Sequence, residues 1–330
     1  MTILEAVPNV SEGRCERVIQ ALVDAVTNVP DAYLLDCSSD PSHNRSVLTL
    51  VGDVTGLTDA LIRLFAVAIK EIDLRTHRGE HPRIGAVDVV PFIPIQEATT
   101  ADCMELARTL GHTVADRFGV PVFLYENAAI LTNRRALEEI RRGQFEGLAD
   151  KMKTVGWSPD FGGPLPHLTA GATALGARGP LIAFNINLRT EDVEVAQQIS
   201  RLVRARSGGL PAVKAIGVSL NHRGLVQVSI NLTNFQQTPL HRVFNLVQRE
   251  ADKLGVEVEN SEIVGLVPED ALMATAAQSL RLNGFTPRQV LEARLRHSLT
   301  LPPNCPSFPT LQQPDVAPSP ERLAPSDTND

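Results

Sequence analysis

The fold is decided by the stretch Ala32-Tyr33-Leu34-Leu35-Asp36-Cys37-Ser38-Ser39-Asp40-Pro41-Ser42-His43-Asn44-Arg45-Ser46-Val47-Leu48-Thr49-Leu50-Val51. Its apolar ends, Ala32 to Cys37 and Ser46 to Val51, read as two strands, and the polar segment Ser38 to Arg45 reads as the turn that joins them. Working upstream, Ile3 to Val7 reads as a short strand. Glu12 to Val26 reads as an amphipathic helix with Val18, Ile19, Leu22 and Val26 inward and Ser11 as its N-cap. Downstream, Leu57, Leu61, Leu64, Phe65, Ala68 and Ile72 recur at helical spacing, and Ala86 to Ile95 returns to strand. The order is βαββαβ, that of a ferredoxin-like α/β sandwich. Helices near Ala101 to Phe118 and Arg134 to Ile140, with a strand from Val120 to Tyr125, extend it.

The second half repeats this order. Pro180 to Leu188 is a strand, and Glu191 to Arg206 is a helix with Val195, Ile199, Leu202 and Val203 on one face. Val213 to Ser219 and Leu225 to Thr233 pair around Asn221-His222-Arg223-Gly224. Pro239 to Lys253 is a helix bearing Val243, Leu246 and Val247, with Leu254 just beyond, and strands follow near Val256 to Val258 and Ile263 to Val267. The fold class expected is therefore α/β (α+β), with two βαββαβ subdomains at 1–179 and 180–300. The Gly- and Pro-rich stretch from Gly156 to Gly179 is the expected linker. A Pro-rich segment, 301–330, has too few apolar residues to form a core and is expected to be disordered.

The 330 residues carry 31 basic and 38 acidic side chains, a net charge of −7, with no block of Lys and Arg. That balance argues against a nucleic-acid surface. Cys15, Cys37, Cys103 and Cys305 are far apart, so neither a disulfide framework nor a zinc site is expected, and Cys37 reads as a small core residue. The N-terminal residues lack a basic-then-apolar pattern and no apolar run is long enough to span a membrane, which points to a cytoplasmic protein.

The chemistry concentrates in Thr76-His77-Arg78-Gly79-Glu80-His81-Pro82-Arg83-Ile84-Gly85-Ala86-Val87-Asp88-Val89. His81, stiffened by Pro82 and leading into a strand, is better placed than His77 to move protons near neutral pH. The two histidines are four apart, but Gly79 and Pro82 oppose the helix that would make them a metal pair, so no metal is expected. The Gly-rich run from Asp160 to Arg178 reads either as a ligand loop or as a linker; it contains neither phosphate-loop pattern. Asn185 and Asn187 share one face of their strand by alternation, where they reach either a ligand or nearby loops. His43 and His167 lie in polar loops near the candidate sites, while His112, His222, His241 and His297 read as surface or helix-end residues.

Together these segments resemble the formiminotransferase domain family. The matching words are Val7-Pro8-Asn9-Val10-Ser11-Glu12-Gly13, Asn44-Arg45, His77 through Phe92, Pro159-Asp160-Phe161-Gly162, Gly171-Ala172-Thr173 through Gly176-Ala177-Arg178, Ala183 through Leu188, and Ser261 through Pro268. They cover residues 3 to about 280 in order. The resemblance implies transfer of a formimino group from N-formimino-L-glutamate to N5 of tetrahydrofolate in histidine degradation, a ligand tunnel between the subdomains, and a homodimer. It also implies His81 as the base and Gly162, Gly163, Pro164, Leu165, Pro166, His167, Leu168, Thr169, Ala170 and Gly171 as the folate segment. Gly163 and Leu168 depart from the usual pattern there. The length of the chain leaves no room for the cyclodeaminase fused to some members, so the stand-alone form is expected.

Arg45, Arg83 and Arg178, with Asn185 and Asn187, are the candidate substrate-binding residues, the arginines holding carboxylates. Asp36, Asp40 or Asp88 could balance a cationic formimino group or simply cap a turn. Three other readings stay open: an N-formyl amino acid or formiminoglycine as donor, a non-catalytic folate-binding module, and a metal-dependent hydrolase using His77 and His81.

Overall fold

Eleven strands among the described residues form two sheets. The first set of elements is β1 (Ile3–Ala6), β2 (Asn9–Val10), α1 (Glu16–Thr27), β3 (Ala32–Asp40), β4 (Arg45–Gly52), α2 (Val54–Glu71), β5 (Val87–Gln96), α3 (Thr100–Phe118), β6 (Val122–Glu126), α4 (Leu137–Arg141), α5 (Gln144–Met152) and β7 (Thr173–Ala177). The second is β8 (Ile182–Leu188), α6 (Val193–Val203), β9 (Val213–Leu220), β10 (Leu225–Leu232), α7 (Leu240–Lys253), β11 (Val258–Val264) and α8 (Glu269–Ser279). This computed structural model describes residues 2–220 and 223–300. The chain divides into two units, Met1–Arg281 and Leu282–Asp330. In the second unit, α9 (Leu291–Thr300) follows a short 3-10 turn at Pro287–Gln289. The expected tail at 301–330 with Cys305, as well as Asn221 and His222, lies outside the described residues, as does the side chain of His297.

The ferredoxin-like order holds twice. In the first sheet, β1 and β2 act as one broken strand between β4 and β5, antiparallel to both, and β3 pairs outside β4. In the second sheet the order is β11-β8-β10-β9, all antiparallel. Strand periodicity sets the two faces. Leu4, Ala6, Leu48 and Leu50 point to the core under α1 and α2, so Glu5, Arg45, Val47 and Thr49 face the other way. On that second face, α4 and α5 cover part of the sheet, packing Ile140, Leu148 and Met152 against Val89, Phe123 and Tyr125.

Several expectations need correction. The stretch from Gly156 to Gly179 is not a linker, because β7 lies inside it, fully buried and parallel to β5 on one side and β6 on the other. Gly176 explains why that strand reads as loop: a Cβ there would come within 2.4 Å of the Tyr125 ring, so only glycine lets the tyrosine lie across the strand. Ser11 does not cap α1. The helix starts at Glu16, Glu12 accepts from the N–H groups of Arg14 and Cys15, and Ser11 Oγ donates to the Gly85 carbonyl at 2.7 Å.

The expected helix from Arg134 to Ile140 is a 3-10 turn, Thr132–Arg134, followed by α4; α5 was not anticipated. On α6, Leu202 is exposed and Ala196 and Ser200 take the inner face with Ile199 and Val203. One strand, β11, stands where two short ones were expected.

Candidate active site

Three loops meet at the start of β5: the β2–α1 loop, the β3–β4 turn, and the segment from His77 to Arg83. Asn44 joins them. Its Oδ1 accepts from Gly13 N at 2.9 Å, its Nδ2 donates to the Arg78 carbonyl at 3.1 Å, and its own carbonyl accepts from His77 Nε2 at 2.9 Å. His77 is therefore a structural residue: its Nδ1 accepts from Arg83 Nε at 3.1 Å, so both ring nitrogens are engaged. Among the described residues no group of three or more His, Cys, Asp or Glu is arranged to hold a metal ion.

Arg83, expected at a substrate carboxylate, has a different task. It is buried, and its guanidinium forms a two-pronged pair with Glu146 at 2.7 and 2.8 Å and a further bond to Gln144, fastening α5 to the histidine loop. The hydrogen bond from Arg83 holds the Glu146 carboxyl down at about 2.

His81 lies in the same cluster and bonds to a residue from β4. Arg45, the first residue of β4, donates from Nη1 to its Nε2 at 2.6 Å, which leaves the ring neutral with its proton on Nδ1. That Nδ1 is buried without a hydrogen bond of normal geometry. Burial first, then the charges of Arg45 and Arg141, push the His81 pKa down to about 2. Arg141, on α4, was missed by sequence reasoning. It binds Asp88 through Nε at 2.9 Å, and Asp88 also accepts from Ile84 N at 2.7 Å. Arg45 itself is disfavoured as a charge by burial and by Arg141, and favoured by Asp88 and Asp40. Two guanidinium groups thus stand beside a neutral imidazole on the face of the sheet away from α1 and α2.

The lowered His81 pKa has a consequence for stability. The unfolded chain takes up a proton as pH falls through about 6.5, the folded chain does not, and folding is opposed below that pH. The contribution reaches up to about 1.4 kcal/mol per pH unit. His77, also lowered by burial, acts with the same sign. Urea midpoints measured from pH 7.5 to 5 are expected to fall with pH, and His81→Ala is expected to flatten that slope.

The segment from Gly162 to Gly171 lies against the same loop. Ala86 N donates to the Ala170 carbonyl at 3.0 Å and Ala172 N to the Ile84 carbonyl at 2.9 Å. At Gly171, φ is +69° and a Cβ would fall 2.0 Å from the Ile84 oxygen, so glycine is required for the two segments to approach this closely. His167 Nδ1 accepts from Ala170 N at 3.0 Å and shapes the loop. Gly162, Gly163, Pro164, Leu165 and Leu168 are exposed, with Pro166, His167 and Thr169 half-buried. The two departures, Gly163 and Leu168, thus touch little of the protein itself.

The other candidates lie elsewhere. Arg178 follows the far end of β7, where its charge acts on Glu5, Tyr125 and Glu126; burial raises the pKa of all three, Tyr125 to about 12. The charge of Arg141 acts on both His81 and Tyr125. Asn185 and Asn187 sit on the helix-free face of the second sheet in a polar ladder. Asn187 donates to Asn260 and accepts from Gln227, and Asn185 donates to Glu262. Lys214 of β9 pairs with Glu138 of α4 at 3.1 Å, joining the second sheet to the helix that carries Arg141. No helix among the described residues is long and apolar enough to cross a membrane.

Fold and site together define an α/β protein made of two ferredoxin-like halves, with a neutral histidine bonded by the guanidinium of Arg45. The chain belongs to the formiminotransferase domain family: residues 3–178 match the formiminotransferase domain N-terminal subdomain and residues 183–286 match the formiminotransferase domain. It is 44% identical over 294 residues to a glutamate formimidoyltransferase of Streptococcus pyogenes serotype M1, covering 89% of this chain and 98% of that one. To the glutamate formimidoyltransferase of Thermoplasma acidophilum it is 43% identical over 303 residues, covering 91% and 100%. The formimidoyltransferase-cyclodeaminase of Sus scrofa is 42% identical over 280 residues, 83% of this chain but 52% of that protein.

Proposed function

We propose that this protein is a glutamate formimidoyltransferase that moves the formimino group of N-formimino-L-glutamate to N5 of tetrahydrofolate, with His81 as general base. The observation that carries the reading is the buried His81 imidazole whose Nε2 accepts from Arg45, with burial and the charges of Arg45 and Arg141 keeping it neutral. A base must be unprotonated, and the arginines suit an amino acid that carries two carboxylates. Arg45 donates to the lone pair that a base has to use. A donor carboxylate that draws Arg45 to itself exposes Nε2 and weakens one of the charges that depress its pKa, so substrate binding activates the base.

N5 of tetrahydrofolate then attacks the formimino carbon and gives its proton to His81. The tetrahedral intermediate collapses and releases glutamate. The exposed loop from Gly162 to Leu168, fastened at its end to the histidine loop, is the folate contact in this reading, and Arg178 is available at the far end of the face for a further carboxylate. The family's homodimer and a cytoplasmic setting belong to the same proposal.

Wild-type protein supplied with tetrahydrofolate is expected to turn over N-formimino-L-glutamate, and to use N-formyl-L-glutamate and N-formiminoglycine at least tenfold less well. A spectroscopic assay for 5-formimino-tetrahydrofolate decides it. Preference for either alternative donor would change the assigned substrate, and folate binding without turnover would favour the binding-module reading. In kcat/KM, which reports the free enzyme, His81 is expected to cause no loss of activity as pH falls through 6.5, because its pKa lies far below that value.

A further inference from the structure

Formimino transfer needs a proton moved twice. The attacking N5 must lose one, and the departing glutamate nitrogen must gain one as the C–N bond breaks. His81 accounts for the first. The guanidinium groups of Arg45 and Arg141 do not release protons at working pH. Asp88 is buried and already accepts from Ile84 N and Arg141. Both nitrogens of His77 are engaged.

One further imidazole stands against His81. The rings of His43 and His81 are 5.8 Å apart between centroids, edge to face, with an interplanar angle of 62°. Asp40 Oδ2 lies 3.0 Å from His43 Nδ1, so the aspartate accepts that N–H and Nε2 becomes the nitrogen that exchanges protons. The other oxygen of Asp40 accepts from the backbone N–H groups of Ser42 and His43 at 2.8 and 2.9 Å, which fixes the turn. Asn44, clamped to two other loops, holds its far side. A half-exposed histidine on so constrained a turn, oriented by a carboxylate and set beside the base, is placed for work on a substrate.

We propose that His43 is the general acid of the reaction, an inference that rests on the formimino-transfer reading above. The N5–C bond forms as the N5 proton passes to His81 Nε2 and the C=N π pair moves onto the imino nitrogen. That pair then returns to carbon and the C–N bond to glutamate breaks. Its electrons stay on the glutamate nitrogen, which takes the proton from His43 Nε2. The cycle leaves His81 protonated and His43 neutral, and one proton returned through solvent restores both.

The test compares N-formimino-L-glutamate with N-formimino-4,4-difluoro-L-glutamate, whose amine is less basic and leaves with less help, in wild type, His43→Gln and His43→Asn. With the natural donor, both variants are expected to lose about 10²–10⁴-fold in kcat. With the fluorinated donor the loss shrinks at least tenfold, while tetrahydrofolate binding and the thermal midpoint stay as in wild type. An equal loss with both donors, or a loss under threefold with the natural one, would overturn the assignment. A wild type inactive with either donor would overturn the transfer reading itself and this proposal with it.

Discussion

Replacing His81 with alanine is expected to slow formimino transfer by about 10²–10⁴-fold while tetrahydrofolate still binds. The size follows from what the imidazole supplies. Loss of a positioned base removes acid–base catalysis and leaves untouched the alignment of two substrates, which the rest of the site provides. The side chain makes few polar contacts: its Nε2 accepts from Arg45, and its Nδ1 has no well-formed partner. The cost at neutral pH is the bond lost to the mostly buried Arg45, and it is expected to shrink below pH 6.5, since the imidazole that resists protonation is gone. Single-turnover rates with saturating substrates, together with tetrahydrofolate binding by fluorescence, separate chemistry from binding. A loss below tenfold would move the base elsewhere.

Asp160→Ala is expected to destabilise the protein by about 3–5 kcal/mol. Asp160 pairs with Arg134 at 2.9 Å, and the two side chains are only 6% and 3% exposed. Its other oxygen accepts from Leu124 N at 2.7 Å. Arg134 also donates to the Gly156 and Ser158 carbonyls, so this one ion pair helps fix the segment before Gly162 against β6. Deleting the carboxylate strands a buried guanidinium and a buried N–H together, which is costlier than the pair's own net contribution. Asp160→Asn keeps an acceptor for Leu124 and should lose about half as much. Urea unfolding at pH 7.5 reads both, and a loss under 1 kcal/mol for the alanine variant would show that water reaches Arg134.

The histidine loop was legible in sequence because its chemistry is local: His81, Pro82 and the following strand lie within a few residues of one another. The partners were not. Arg45 and Arg83 look alike in the sequence, yet one meets His81 across 36 positions and the other meets Glu146 across 63. Arg141 gave no signal, since an arginine on a short helix beside Arg142 reads as solvated surface. His43 was visible as a polar turn residue, but its contact with His81 exists only once the β3–β4 turn and the histidine loop are folded against each other.

The sequence by itself determined the two βαββαβ repeats and the position of the histidine loop. Hydrophobic period is set by each element's own geometry, and Leu4, Ala6, Leu48 and Leu50 alternate whether or not the rest of the chain is present. Tertiary structure alone decided that Thr173–Ala177 is a central strand, because a Gly-containing run of small residues carries no period and is held by its neighbours on both sides. It alone also decided which arginine faces the His81 imidazole, since a guanidinium's role depends on which distant carboxylate or ring the folded chain brings within hydrogen-bonding reach.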